Sequence, residues 1–71
     1  MTNDPAAEKM LFWFDFEHLP EDLHPVSEPF ADLAHEMVAA LPPSAERSAG
    51  LRKLLEAKDC FVRAAIGARD E

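Results

Sequence analysis

A chain of 71 residues makes one small domain at most. Its residues are 48% hydrophobic and 30% charged, a globular rather than a disordered composition. The formal net charge of −7 excludes sequence-independent binding of long DNA or RNA, which depends on Lys and Arg neutralising phosphates, but leaves room for one small anion held by a few local cations.

In chain order, residues 1–9 (MTNDPAAEK) are polar and read as a loosely ordered lead-in. Residues 10–16 (MLFWFDF) are apolar and aromatic, a run too short for a convincing helix alone. Residues 17–25 (EHLPEDLHP) carry prolines at 20 and 25 and read as a turn.

A helix is predicted from there to Leu41. Val26, Phe30, Leu33, Ala34, Met37, Val38 and Leu41 recur at intervals of three and four, one apolar stripe. Ser27 is the expected N-cap, with Glu28 and Pro29 in the first turn, where acid and proline are tolerated. Pro42 and Pro43 end the helix.

A second helix is predicted from Ser44, whose hydroxyl caps it; the acid Glu46 stands one residue short of capping-box spacing. Leu51, Leu54, Leu55, Phe61, Val62, Ala65 and Ile66 form its stripe. Lys58 interrupts that stripe, but a lysine stem can cover apolar surface while its ammonium reaches water. Gly67 is the expected C-cap, with Arg69 at the negative end of the dipole. Gly50, inside the helix, costs about 1 kcal/mol against alanine and implies close approach by another backbone or a ligand. The short connection makes the two helices antiparallel. The expected fold is thus all-α: an antiparallel helical hairpin over 14–67, preceded by a partly flexible arm (1–13) with an aromatic segment and followed by a tail (68–71).

Size also bears on assembly. A chain this short rarely gains more than about 3–5 kcal/mol from one thin core. With a single cysteine, Cys60, and no metal-binding spacing, it lacks the usual staples. Association with copies of itself is expected.

Chemistry is sparsely signalled. No phosphate loop, nucleophile elbow or paired-cysteine spacing is present. His18, His24 and His35 do not fit a helical metal motif, and Cys60 reads as a small buried hydrophobe. Neither an enzyme nor a bound cofactor or metal is expected. No apolar run approaches the ~20 residues of a membrane span, and residues 1–9 do not resemble a secretory leader; a reducing, cytosolic setting is expected.

Charge is divided along the chain. Residues 1–41 hold nine acids and one base, Lys9; residues 42–71 hold five acids and six bases. One reading is an acidic outer face on the first helix beside a mixed face on the second. The other takes Arg47, Arg52 and Lys53, within two turns of the second helix's start, as a phosphate-binding cluster. The aromatics Phe12, Trp13, Phe14 and Phe16 likewise have two readings: a cap or glue for the core, or a platform on which a base stacks for ~1–3 kcal/mol.

Residues 43–57, PSAERSAGLRKLLEA, resemble the P-x-S-x-[DE]-R-[ST]-x-A-L-x-x-L-x-E-A signature of the phage anti-CBASS cyclic-nucleotide sponges and their anti-Thoeris relatives. Phe14-Asp15-Phe16-Glu17-His18 resembles the family's F-x-Y-H entry segment, and Leu33-Ala34 matches its "L-A" eight residues before the proline break. The similarity covers about residues 14–66. It implies a small helical homo-oligomer, commonly a hexamer, that sequesters cyclic di- and trinucleotides or cyclic ADP-ribose isomers without altering them, in the cytoplasm of a bacterial host. Carried onto this chain, Phe16 and His18 would meet a base, and Ser44, Arg47, Arg52 and Lys53 the phosphates. Against the family pattern, Phe16 replaces a tyrosine, and Ser27 and Ala31 stand where basic residues are usual. A reading from a different class is a small acidic helical module that binds a protein, antitoxin-like or inhibitory, which the acid-rich first half favours.

Overall fold

The computed structural model describes residues 5–69; the rest of the expected arm and tail, residues 1–4 and 70–71, lies outside them. The described residues form three α-helices and no strand. Helix α1 spans Pro5–Phe12, α2 His24–Ala40 and α3 Ala45–Arg69, with a single 3-10 turn, Glu21–Leu23, leading into α2.

Helix α1 occupies much of the stretch that the sequence left irregular. Eight residues are too few to hold a helix in water alone, but Met10 and Leu11 pack against the core and supply tertiary support. Its end tightens into bonds from the N–H groups of Trp13, Phe14 and Asp15 to the carbonyls of Met10, Leu11 and Phe12, at 3.0–3.1 Å. That tightening turns Phe14 inward, where it is fully buried.

The following loop is fastened locally. The Asp15 carboxylate accepts the Glu17 N–H at 3.1 Å, and the Leu19 N–H donates to the Phe16 carbonyl at 3.0 Å. His24 Nε2 lies 2.8 Å from the Leu19 carbonyl oxygen; a carbonyl can only accept, so this nitrogen carries the proton.

Helix α2 begins three residues before the predicted cap. Pro25 occupies its first turn, and Ser27, expected as the N-cap, instead faces inward with no exposed surface. Pro25 pre-sets this first turn, but Pro29, expected in the first turn, falls inside the helix on its exposed side, where it removes one backbone donor. At the far end Leu41 is extended (φ −124°, ψ 142°), as a residue before proline must be, and the helix stops where predicted.

Ser44 caps α3 as the sequence indicated: its Oγ accepts the Arg47 N–H at 3.0 Å. The expected stop at Gly67 does not occur. The helix continues through it to Arg69, and no described glycine adopts a positive φ. Helices α2 and α3 run back along one another. Arg47 reaches the last turn of α2, and Phe30 stacks on Phe61 further along, with ring centroids 5.7 Å apart.

Phe14, Ala31, Ala34 and Leu51 make the core. Ser27, Ala31 and Ala34 form a strip of small residues along α2, all buried, and the Phe14 ring fills the space this strip leaves beside α3. The buried side of α2 is therefore rotated from the predicted stripe. Ala34 lies inside and Val26, Phe30 and Val38 are half-buried, whereas Leu33, Met37 and Leu41 are exposed. On α3 Leu51 is buried, Leu54, Leu55, Val62, Ala65 and Ile66 are half-buried, and Phe61 is exposed apart from the face it stacks on Phe30. Cys60, expected inside, is also exposed, 3.4 Å from Arg63 Nη2.

The molecule is long and thin, 45 × 20 × 16 Å. Helix α3, with 25 residues against 17 in α2, extends about 12 Å further at about 1.5 Å per residue.

Candidate functional site

The proline break places the start of α3 beside the end of α2, and the six candidate residues separate into two groups around that geometry. Ser44 is at the surface, its hydroxyl engaged in the cap. Arg47, three residues on, is buried. Its Nη1 donates to the Leu41 carbonyl at 2.6 Å and to the Val38 carbonyl at 3.3 Å. These carbonyls sit at the C-terminal end of α2, where the backbone has acceptors but no helical donors, and where a cation suits the dipole. Arg47 is thus first a clasp between two helices. Arg52 and Lys53 are exposed and, at about 100° per residue around a helix, face different directions.

Phe16 and His18 belong to the other end of the helix pair. Phe16 is half-buried, its ring edge-to-face with His24 at 5.2 Å, and His18 is exposed. His24 and Val38 are fourteen residues apart on α2, about 21 Å along its axis. Lys53, six residues beyond Arg47, recovers only about 9 Å of that distance. About 12 Å along the axis therefore still separates the aromatic group from Lys53 within one chain.

Family models, curated proteins and solved structures give no match to this chain.

Two features of this region were not legible as site elements. The first is Lys58, nearly buried on α3, whose Nζ donates to the Trp13 carbonyl at 3.1 Å and pairs with Asp59 at 2.9 Å. It closes the end of α1 as Arg47 closes the end of α2. The only signal was a lysine in an apolar stripe. The second is an open groove of about 590 Å³ between the C-terminal half of α2 and the start of α3, walled by Leu33, Met37, Leu41 and Leu54. Ser44, Arg47 and Gly50 also border it. A Cβ built on Gly50 would meet nothing within 4 Å, so the close approach inferred for this glycine does not come from the chain itself. Among the described residues no cluster of His, Cys, Asp and Glu is arranged to hold a metal ion, and no helix is long and apolar enough to cross a membrane.

Proposed function

We propose that this protein is a phage-encoded sponge: a homo-oligomer, hexameric by resemblance, that binds nucleotide second messengers in the bacterial cytoplasm and lowers their free concentration without chemistry. The resemblance of residues 14–18 and 43–57 to the sponge family carries this reading. The geometry that supports it is the division of the candidate site. Phe16 with His18 lies at the start of α2 and Arg52 about 13 Å away along the helix pair; in this reading a second subunit completes the site for a ligand with bases and phosphates.

In this reading a base stacks against Phe16 and a phosphodiester meets Arg52, whose planar fork can make two parallel bonds. Arg47 contributes indirectly, by fixing the start of α3 against α2. Lys53 and the surface of Ser44 flank the same helix start. The departures fit this division: Ser27 and Ala31, which replace the family's basic positions, are buried in this chain, so phosphate contacts fall to α3.

Isothermal titration with cyclic dinucleotides, cyclic trinucleotides and cyclic ADP-ribose isomers tests the proposal. Binding by at least one class is expected, with Arg52→Ala weakening it tenfold or more, about 1.4 kcal/mol, at unchanged oligomer mass. Phe16 also packs against the core, which makes Arg52 the cleaner probe. Absence of heat with all three classes would overturn the sponge and leave the acidic protein-binding module, which the nine acids of residues 1–41 favour.

A further inference from the structure

We propose that Lys58 and His24 are positioning residues for the base-stacking segment: from α3 and α2 they pin the two ends of the loop 13–19, so that Phe16 and His18 are in place before a ligand arrives. The inference rests on the sponge reading above and adds to it two residues that the resemblance does not assign.

The loop is tied down along its length. Its first residues carry the tightened bonds from the N–H groups of Trp13, Phe14 and Asp15. The Asp15 carboxylate holds the Glu17 N–H, and the Leu19 N–H donates to the Phe16 carbonyl. These contacts are local. Two further bonds tie the loop to the helix pair, beside the buried Phe14 ring. Lys58 Nζ donates to the Trp13 carbonyl at 3.1 Å, across 45 positions of sequence. His24 Nε2 donates to the Leu19 carbonyl at 2.8 Å.

Closing the end of α1 does not by itself require the first of these bonds. Trp13 lies at the surface, 57% exposed, where water ordinarily serves the carbonyls of a helix end. Taking an ammonium out of water is costly, yet Lys58 is only 9% exposed, with Asp59 as its counter-ion at 2.9 Å. A covered cation spent on a carbonyl at the surface fixes the path of the chain into Phe16. His24 acts at the other end and on the ring itself: its imidazole meets Phe16 edge-to-face at 5.2 Å, so anchor and aromatic ring move as one unit.

Magnitude gives the reason to fix the segment beforehand. Ordering one residue of flexible backbone costs about as much as one base stack returns. If residues 15–18 were ordered only by the ligand, the stack on Phe16 would be cancelled. Preorganisation removes that cost.

The test is titration calorimetry of the full chain with cyclic dinucleotides, cyclic trinucleotides and cyclic ADP-ribose isomers, beside amide exchange of the ligand-free protein. Lys58→Met, which keeps the apolar stem, is expected to bind tenfold or more weakly than the wild type. Its binding entropy should be more unfavourable, at unchanged oligomer mass and helical circular dichroism. Without ligand, exchange at Glu17 and Leu19 should quicken in the same variant. His24→Ala is expected to lose affinity likewise, whereas His24→Gln, whose amide can still donate to the Leu19 carbonyl, should keep most of it. A residue that only stabilised the fold would lower the urea midpoint and leave the affinity and entropy of the folded protein as they are. A wild type that binds none of the three classes overturns the sponge reading and this inference together. A wild type that binds, beside a Lys58→Met protein that binds as tightly or exchanges as slowly at Glu17 and Leu19, overturns this inference alone. Should Lys58→Met lose its helical signal, the two His24 variants decide, and equal affinity in the Ala and Gln proteins overturns the proposal.

Discussion

Arg47 and Lys58 each close a helix end, and their type alone did not disclose it. In sequence a cation near a helix start is equally a phosphate ligand or a partner for the preceding helix's carbonyls; which it is depends on how near those carbonyls come. Here the two-proline break brings Leu41 within 2.6 Å of Arg47 Nη1. Arg47→Lys should therefore not behave as a conservative change. A single ammonium cannot reproduce the guanidinium's geometry, and a loss of about 1–2 kcal/mol is expected, at the scale of hydrogen bonds from charged groups. A urea midpoint lowered at constant m-value would show it. Lys58→Met separates stem from charge. The apolar cover remains while the Trp13 carbonyl loses its donor, so a cost of about 1 kcal/mol is expected. Amide exchange should rise in α1 more than in α2 or α3; equal rises in all three would mean the ammonium does not hold α1 in particular.

Among the elements, α2 and α3 were legible because proline, serine and three-and-four spacing all agree about them. The register of burial on α2 was not. Periodicity identifies an apolar arc, but the arc from Val26 to Leu41 is wider than its partners within one chain cover, and the choice between its two edges was made by α1. Ser27 and Ala31 look like gaps in the stripe until Phe14 is placed against that side of the helix. Helix α1 was missed for a related reason: its eight residues have no helical case without the core they join. Phe14→Ala is the sharpest test of this arrangement. Removing a fully buried Phe costs about 3–5 kcal/mol, comparable with the whole stability of a domain this size. The far-UV helical signal is expected to collapse at room temperature, and a variant that melts near the wild type would mean that α1 is an appendage. Ser44→Ala is the milder counterpart at the other junction, costing about 1 kcal/mol for the lost cap and read from thermal unfolding. At the site, residue types were legible, but not that Phe16 and Arg52 lie about 13 Å apart along the same helix pair, which only the packing of the helices reveals.

For the whole molecule, net charge and the proposed self-association pull in opposite directions. Two chains of charge −7 with centres about 20 Å apart, the thickness of the molecule, repel by roughly 10 kcal/mol in unscreened water. Screening reduces this to about 5 kcal/mol at 10 mM salt and to about 1 kcal/mol or less at 150 mM. Exposed ion pairs between copies oppose it only weakly, since they contribute about 0–1 kcal/mol each, and they are screened over the same range. Burial of exposed apolar side chains such as Leu33, Met37 and Leu41 is insensitive to moderate salt. Of these interactions the repulsion changes most, so self-association should tighten as salt rises from 10 to 150 mM, by a hundredfold or more for about 3–4 kcal/mol, and then level off. Sedimentation across that salt series measures it directly. Association that weakens steadily with salt would show instead that ion pairs, and not apolar burial, hold the copies together.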